Sequence, residues 1–565
     1  MGEEGDRDVV LERRVKMPVG YVLGSENARP LEFWVLIKEG EYLELDDIVR
    51  VTTSLPDGRR VTLYGIVDLV QNKIEPSRFG RDTLDMREGL IPASVLRTAH
   101  VSVTRVEPEI FVPPEPGLPV ERAAGEEREA ALYVDLMKRR FPLGLSRDGQ
   151  PVWGNLEFLD GTRGAHINVS GISGVATKTS YLLFLLYALF NSPALGPAKA
   201  NTHALVFNVK GEDLLWLDHP NRFLRSDEAK KYEALGLAPG AFENVALWVP
   251  PRPKIPALIP DAGSRQTGLR IYFWSLEDFC RRRMMRFLFA EAEEERSQIP
   301  MVVQQAERFL AEEAAVSGAD EGAIQIKGAK IRSFGQLVDF IANHIDGIAP
   351  RAAPGTQSAF VRRLEAAVES LDHLIRAVPQ EEAERHKIEW LSGQINVIDI
   401  HNLKDRAKRF VVGAVLSSIM EYKDRTGTRE PLVFLLLDEL NKYAPREGWS
   451  PIKEMILDIA ERGRSLGIIL FGAQQTASEV ERRVVANASF RVIGRLDAAE
   501  VEREEYGFLP AAARARSIIL KPGTMYVQQP DVPIPLLVHF PFPSWATRSE
   551  EALTEIEEIP RGFVR

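Results

Sequence analysis

The fold of this chain is decided by the stretch His166-Ile-Asn-Val-Ser-Gly171-Ile-Ser-Gly174-Val-Ala-Thr177-Lys178-Thr179. It begins as a short apolar strand, continues as a loop that contains two glycines, and ends where an apolar helix begins. Such a loop can present backbone N–H groups and a helix N-terminus to an anion. The stretch therefore predicts a phosphate-binding loop at the edge of a sheet that is covered by helices.

Individual positions of this loop match the parts of a nucleotide site. Lys178 supplies a cation for the β- and γ-phosphates of ATP, Thr179 supplies a hydroxyl for Mg²⁺, and the loop supplies backbone amides. The predicted ATP-binding residues are Gly171, Gly174, Val175, Ala176, Thr177, Lys178, Thr179, Ser180 and Glu212. The loop departs from the pattern G-x-x-x-x-G-K, because Gly171 lies one residue too far from Lys178 and Thr177 replaces the glycine before the lysine. An ordinary strand–turn–helix connection is the alternative interpretation.

A second segment, Leu432-Val-Phe-Leu-Leu-Leu437-Asp438-Glu439, is an apolar strand that ends in two adjacent carboxylates. Carboxylates that close a buried strand are costly unless a partner neutralises them. We expect Asp438 to hold Mg²⁺ through water and Glu439 to act as the general base that polarises the attacking water. Together with the loop, this segment predicts a site that hydrolyses ATP with Mg²⁺.

Further candidate residues lie beside the neighbouring strands. Gln475 follows the apolar strand that begins at Ile468, where its amide could sense the γ-phosphate or orient water, or could be an ordinary polar loop group. Arg462 and Arg464 precede that strand, and one of them could reach the nucleotide of a neighbouring subunit; solvated surface arginines are the alternative. A last candidate group follows the second strand of the sheet, with a charged turn as its alternative: Asn208, Lys210, Glu212 and Asp213.

The composition is ordinary for a soluble globular protein, with 45% hydrophobic and 27% charged residues. The length of 565 residues exceeds a single core, so several domains are expected. A net charge of −10 argues against non-specific coating of nucleic acid, so any DNA contact is expected on a local basic surface. The single cysteine, Cys280, fits a reducing cytoplasm. No apolar run approaches the length of a membrane span, and the N-terminus lacks a signal-peptide pattern.

The pattern of apolar residues changes along the chain and predicts six regions. Short alternating runs near the N-terminus indicate an antiparallel barrel, and buried strands followed by helices indicate a parallel sheet. The predicted regions are 1–115, a β-barrel; 116–150, a proline-rich linker and a charged helix; 151–275, the first part of the sheet domain; 276–391, an all-helical insertion; 392–535, the second part of the sheet domain; and 536–565, a C-terminal tail.

Taken together, these residues resemble the HerA–FtsK superfamily of ring-forming, DNA-pumping ATPases, and most of all its HerA branch. The resemblance covers nearly the whole chain, including a barrel similar to the HAS-barrel of that family. Val206-Phe-Asn-Val-Lys-Gly-Glu212 is similar to the family's strand that ends in a Gly-Glu turn. Gln475 matches the family glutamine that closes a later strand, whereas Thr476 and Ala477 replace the Arg-Pro that follows it.

The resemblance implies an α/β fold, with a RecA-like parallel-sheet P-loop ATPase core, an N-terminal β-barrel and an all-helical insertion. It also implies a cytoplasmic homohexameric ring with ATP at the subunit interfaces and double-stranded DNA in the channel. A nuclease similar to NurA, or another effector, would dock on the barrel face. The implied function is ATP-dependent DNA translocation or unwinding, in DNA end processing or anti-phage defence. Candidate DNA contacts, with solvated loop charge as the alternative, are Lys442, Arg446 and Lys453.

Two other functions remain open at this point. The chain could be a nucleotide-binding hexameric scaffold, with weak or partner-dependent hydrolysis, that organises an effector nuclease; the irregular phosphate loop motivates this alternative. It could also be a related ring ATPase that acts on protein, although the lack of apolar membrane segments counts against a membrane-bound motor.

Overall fold

The computed structural model describes residues 17–75, 82–90, 94–172, 178–289, 298–316 and 322–552. The chain divides into two compact units, and the first comprises residues 1–137 with the short segments 509–515 and 531–536. In the described ranges, no single helix combines the length and apolar composition of a membrane span; one bent pair, Lys178–Asn191 with Pro193–Asn201, does so only when its members are joined.

The first unit contains a closed barrel with the strand order β1-β2-β5-β4-β3-β6. Its strands are β1 (Gly20–Val22), β2 (Glu32–Ile37), β3 (Ile48–Ser54), β4 (Arg60–Glu75), β5 (Ser94–Glu107) and β6 (Pro119–Arg122). The unit also holds α1 (Asp82–Arg87) and α2 (Glu126–Ala131). Burial alternates along β2 and β3, so that every second side chain faces the apolar interior. The barrel predicted from alternating runs is confirmed. Its last strand lies in the region 116–150, so the barrel continues past residue 115 and the proline-rich stretch connects β5 to β6.

The second unit begins with the strands and helices that precede and follow the predicted phosphate loop in the sequence. They are β7 (Arg140–Leu145), β8 (Pro151–Asn155), β9 (Ile167–Ser170), α3 (Lys178–Asn191), β10 (Thr202–Asn208), α4 (Ser226–Ala234), β11 (Val245–Val249) and β12 (Leu269–Ile271). All four residues of β9 are buried, and α3 is buried around most of its circumference. An apolar strand and an apolar helix on either side of the loop therefore fix its two ends inside the core.

The region 276–391 was predicted as all-helical, but it is only mainly helical. It contains the two-stranded sheet of β14 with β15 and contributes β16 to a second small sheet with β13. The elements in this part of the chain are β13 (Trp274–Ser275), α5 (Leu276–Arg281), α6 (Ile299–Val316), β14 (Ile324–Ile326), β15 (Ala329–Ile331), α7 (Phe334–Ile348), α8 (Pro354–Leu371), β16 (Ile375–Arg376) and α9 (Gln380–Arg385). Cys280 is buried in α5, and burial raises the pKa of its thiol to about 12.

The chain then returns to the large sheet. The elements of this part are β17 (Ile395–Asp399), α10 (Asp405–Thr426), β18 (Leu432–Leu437), α11 (Pro451–Leu466), β19 (Ile468–Gln474), α12 (Arg482–Ala486), β20 (Phe490–Ile493), α13 (Ala511–Ser517), β21 (Thr524–Gln529), β22 (Val532–His539) and α14 (Ser549–Ala552). Every residue of β18 and β19 is buried, as expected for central strands of a sheet with both faces covered.

The large sheet has the strand order β12-β11-β17-β10-β18-β19-β9-β20-β21-β22-β7-β8. Neighbouring strands from β12 to β20 pair in parallel. Within this part, the order β10-β18-β19-β9-β20 is that of a RecA-like P-loop core, in which one strand separates the phosphate-loop strand from the strand that carries the acidic pair. The predicted fold class is confirmed.

The C-terminal segment packs on α3. The ring of Phe540 lies 5.1 Å from that of Tyr181, and the ring of Trp545 lies 5.3 Å from that of Tyr187. Trp545 is fully buried. The region 536–565 was predicted as a tail, but its described residues include the end of β22 and side chains of the core next to the phosphate-loop helix.

Candidate nucleotide site

The candidate site lies at the carboxyl edge of the parallel sheet. Strands β9, β10, β18 and β19 run in the same direction, so the residues that follow them meet at one edge. Gly171 follows β9, Lys210 follows β10, and Asp438 follows β18. Two segments far apart in the sequence are thus brought together as the strand-end pattern predicts.

Lys178 is the first residue of α3 and folds back across the phosphate loop. Its Nζ donates a hydrogen bond of 2.6 Å to the carbonyl oxygen of Gly171, and the residue is only 3% exposed. Burial lowers the pKa of Lys178 to about 8, although Asp438 partly opposes this shift. Burial disfavours the charged form of this lysine, so an anion bound beside its ammonium would stabilise that form. Four predicted contacts lie outside the described residues: Gly174, Val175, Ala176 and Thr177.

Thr179 and Asp438 form the candidate metal-binding pair. The Thr179 hydroxyl donates a hydrogen bond of 2.9 Å to Oδ2 of Asp438, and Asp438 is 4% exposed. Hydroxyl and carboxylate oxygens are the hard donors that Mg²⁺ prefers, and Mg²⁺ commonly takes its other ligands from water and substrate phosphates. The two side chains therefore fit the role predicted for them.

Glu439 follows Asp438 directly, in a left-handed backbone conformation with φ 55°. Its amide donates a hydrogen bond of 2.8 Å to Oδ1 of Asp438. Its carboxylate contacts two ammonium groups, Lys210 at 2.9 Å and Lys442 at 2.6 Å. Burial alone would raise the pKa of Glu439, but hydrogen bonds from Lys442 and Lys210 outweigh it and lower the pKa. The candidate general base is therefore held as an ion-paired carboxylate.

Gln475, the predicted sensor, has an exposed side chain, and its carbonyl accepts a hydrogen bond of 3.2 Å from the amide of Gly171. The preceding residue, Gln474, is fully buried and donates to Asn168 at 2.7 Å and to the Ser170 hydroxyl at 2.8 Å. Sequence reasoning did not single out Gln474. The sequence contains a pattern that could have predicted this contact. Asn168 and Ser170 are two residues apart on β9, so their side chains lie on the same face of the sheet, and β9 pairs with the end of β19, which carries Gln474.

Arg462 and Arg464 lie at the end of α11, just before β19, and thus at the amino edge of the sheet. Arg462 pairs with Asp458 at 2.5 Å, and Arg464 donates to the carbonyls of Gly161 at 3.1 Å and Thr162 at 2.7 Å. Within one chain, the two arginines are therefore separated from the carboxyl-edge site by the length of the strands.

The remaining candidates after β10 have different surroundings. Asn208 donates to the carbonyl of Gly211 at 2.9 Å and to Asp399 at 2.8 Å. The carboxylate of Glu212, a predicted ATP contact, accepts hydrogen bonds from the hydroxyl and the amide of Ser264. The side chain of Glu212 thus contacts the neighbouring loop at Ser264, and no contact with the lysine and carboxylate cluster is seen among the described residues. Burial raises the pKa of Asp213.

A cavity of about 550 Å³ opens beside the lysine and carboxylate cluster. One wall carries Lys178, Thr179, Ser180, Lys210 and Asp438, and the wall formed by the C-terminal segment carries Phe542, Pro543, Trp545, Thr547 and Arg548. The site thus adjoins a volume large enough for small ligands.

The three candidate DNA contacts all pair with carboxylates. Lys442 pairs with Glu439, and Arg446 pairs with Glu505 at 3.0 Å. Lys453 pairs with Glu481 at 2.9 Å and donates to two backbone carbonyls. The side chain of Lys453 is only 9% exposed, whereas those of Lys442 and Arg446 are 47% and 49% exposed. Burial therefore makes Lys453 the least accessible of the three.

No family model matches this chain. No curated protein matches it either. Among solved structures, it resembles the plasmid coupling protein TrwB in complex with ADP and Mg²⁺, at 13% identity and a TM-score of 0.42, over 69% of this chain and 88% of that chain. VirB4 of Thermoanaerobacter pseudethanolicus matches at 16% identity and a TM-score of 0.44, over 71% of this chain and 96% of that chain. A third match is the genome packaging NTPase B204 from Sulfolobus turreted icosahedral virus 2 in complex with ATP-gammaS. The identity is 13% and the TM-score is 0.20, over 26% of this chain and 68% of that chain. We therefore infer the function from the residues of this chain.

Proposed function

We propose that this chain is a Mg²⁺-dependent ATPase. The observation that carries the proposal is the convergence of four side chains at the carboxyl edge of a RecA-like sheet. Lys178 presents a buried ammonium, Thr179 and Asp438 form a hydroxyl–carboxylate pair at 2.9 Å, and Glu439 follows Asp438 directly. A cation for phosphates, two oxygen donors for Mg²⁺ and a general base are the parts that phosphoryl transfer to water requires.

The roles of the side chains follow from their chemistry. Lys178 would offset the negative charge of the β- and γ-phosphates. Thr179 and Asp438 would hold the Mg²⁺ that accompanies ATP, and this ion stabilises the negative charge of the phosphates. Glu439 would accept a proton from water while the water oxygen bonds to the γ-phosphorus and the bond to the β–γ bridging oxygen breaks.

We further propose that hydrolysis drives double-stranded DNA through a homohexameric ring in the cytoplasm. A nuclease or another effector would dock on the barrel, in DNA end processing or anti-phage defence. The support is the resemblance of the motifs to the HerA branch, together with a barrel, a RecA-like core and a mainly helical region in one chain. In such a ring, Arg462 or Arg464 would reach the nucleotide of a neighbouring subunit, and the half-exposed Lys442 and Arg446 would contact DNA phosphates.

The test is ATP hydrolysis by the purified full chain, with and without linear duplex DNA. We expect DNA to stimulate turnover, and Glu439→Gln to lower kcat by about 100-fold or more while ATP binding is retained. Lack of ATP binding by the wild-type protein would refute the ATPase proposal. Turnover that DNA leaves unchanged would refute only the DNA motor.

DNA binding offers a separate test of the motor. A channel that grips the phosphate backbone should bind different duplex sequences almost equally, and its affinity should fall steeply between low and high salt. Fluorescence anisotropy with two unrelated duplexes of equal length, over a range of salt concentrations, measures both properties. An affinity that is independent of salt would contradict backbone binding.

A nucleotide-binding scaffold is the second candidate function, and the ion pairs of Glu439 favour it. A carboxylate held by two lysines is a poor base, so hydrolysis could be slow until a partner separates these groups. In a scaffold, Glu439→Gln should leave hexamer assembly and effector activity intact. Mass photometry with ATP, beside the hydrolysis assay, distinguishes the two functions.

A further inference from the structure

Lys210 lies between the two carboxylates of the candidate site. Its Nζ is 2.9 Å from Oε1 of Glu439 and 3.6 Å from Oδ2 of Asp438. Burial alone would lower the pKa of Lys210, but the charge of Asp438 and the hydrogen bond to Glu439 raise it. Lys210 therefore stays an ammonium and neutralises the general base and the metal-binding carboxylate together.

The turn that carries Lys210 is anchored, but its side chain is accessible. Asn208 is buried and ties the turn to β17, because its amide contacts both the carbonyl of Gly211 and the carboxylate of Asp399. Asp399 is itself fully buried and lies 2.7 Å from Nδ1 of His401. The Lys210 side chain, by contrast, is 47% exposed and lines the cavity beside the site. Any response to a ligand is therefore expected in this side chain and not in the backbone.

The contact between Lys210 and Asp438 competes with the metal that accompanies ATP. The oxygen of Asp438 that faces Lys210 is the same Oδ2 that accepts the hydrogen bond from Thr179. Positive charge held by this pair of side chains would repel the ammonium over a distance of a few ångströms. The γ-phosphate supplies the compensating negative charge in ATP, and ADP lacks it. Lys210 thus gains the γ-phosphate as a partner with the triphosphate, whereas Glu439 remains its partner with the diphosphate.

We propose that Lys210 is a positioning residue that reads the γ-phosphate. Without a triphosphate, its ammonium pairs with Glu439 and Asp438 and keeps Glu439 a poor base. With ATP, the ammonium moves to the γ-phosphate and leaves Lys442 as the remaining ammonium partner of Glu439, so that Glu439 becomes a better base when the substrate is present. Hydrolysis is thereby tied to occupancy of the γ-phosphate position, and ADP leaves the site in its paired state. This inference rests on the proposed ATPase function.

The test compares affinities for a non-hydrolysable β,γ-imido ATP analogue and for ADP, each with Mg²⁺, in the full-length protein. In Lys210→Ala, the ratio of the affinity for the triphosphate analogue to the affinity for ADP should fall by about tenfold, the usual effect of losing a hydrogen bond between charged groups. The affinity for ADP itself should stay within about twofold of the wild-type value. Lys210→Arg keeps the charge and should retain most of the preference. Lys442→Ala is the matched control, because Lys442 contacts Glu439 but no contact with Asp438 is seen in the described residues; its preference should be unchanged.

Each outcome decides between the two proposals. Equal loss of affinity for both nucleotides in Lys210→Ala, or an unchanged preference, would overturn the role of Lys210 and leave the ATPase proposal standing. Wild-type protein that binds neither nucleotide would overturn the ATPase proposal itself. Because Lys210 is half exposed, Lys210→Ala is expected to fold; Lys210→Gln, which keeps most of the length, serves as the second neutral variant with the same expected loss.

Discussion

Lys178 and Lys423 are two buried lysines with similar electrostatics and different surroundings. They are 3% and 0% exposed, and burial lowers the pKa of each to about 8. A lowered lysine pKa is often read as a sign of a functional site. Here the same shift occurs at the phosphate loop and at the connection between α10 and β18, so the shift alone does not identify the site.

The partners of the two ammonium groups make the difference. Lys423 donates to the carbonyls of Arg429 and Pro431, which belong to the connection that follows its own helix. Lys178 donates to a carbonyl at the other end of the phosphate loop, and it lines a cavity together with Asp438. A lysine that closes a turn is satisfied by the chain itself. A lysine beside a cavity and the candidate metal-binding carboxylate can exchange its partner for a ligand.

The largest expected difference between the two lysines is in ATP hydrolysis. Lys178→Ala should lower kcat/KM by about 100-fold or more, because it removes a cation from the phosphates in the transition state. Lys423→Met should stay within about threefold of the wild type, because no phosphate contact is lost. Both rates are measured at a temperature where circular dichroism shows each variant folded. Equal losses of kcat/KM in the two variants would contradict the claim that only Lys178 acts on the nucleotide.

The sequence predicted the parts of the site that follow from strand ends. Parallel strands place the residues that follow them at one edge of the sheet. The sequence therefore predicted that Lys178, after the loop that follows β9, would lie near Asp438 and Glu439, which follow β18, and the structure brings them together. The pairing of Lys210 and Lys442 with Glu439 could not be predicted, because it depends on the direction of long side chains after a turn. Lys423 lies in a charged stretch of α10, a pattern typical of an exposed helix surface, yet its side chain is fully buried in the structure. Burial of that kind depends on tertiary packing and leaves no local pattern.

The effects of the two lysines on stability should be in the opposite order, with a larger loss of stability on substitution of Lys423 than of Lys178. Lys423→Met leaves the carbonyls of Arg429 and Pro431 without their donor, and an unsatisfied buried group costs about 1–3 kcal/mol. The expected drop in Tm is about 1–3 °C, because the unit that contains Lys423 spans residues 138–508 and more, and units larger than about 150–250 residues lose less than about 2–4 °C per kcal/mol. Lys178→Met should cost less, because Lys178 lines a cavity from which water can replace its hydrogen bond to the Gly171 carbonyl.

The same pair gives a signed dependence on pH. The folded-state pKa of Lys423 is about 8 and lies below the ordinary lysine value of 10.5, so the unfolded state binds more protons between these values. The wild type should therefore gain stability relative to Lys423→Met as the pH rises from 8 towards 10.5. Urea unfolding at several pH values measures the difference. If the wild type instead lost stability relative to Lys423→Met over this range, burial would not disfavour the charged form of Lys423.

Proton uptake on nucleotide binding is a smaller effect, which should occur at Lys178 and not at Lys423. The pKa of Lys178 is lowered to about 8 and a bound triphosphate favours its charged form, so binding near this pH should take up a fraction of a proton. Lys423 keeps its carbonyl partners and should take up none. Calorimetric titrations with a non-hydrolysable analogue, in two buffers of different ionisation heat, measure the uptake. Lys178→Arg, which stays charged at this pH, should abolish it, and Lys423→Met should leave it unchanged. Uptake that persists in Lys178→Arg would assign the proton to another group and remove the electrostatic link between Lys178 and the nucleotide.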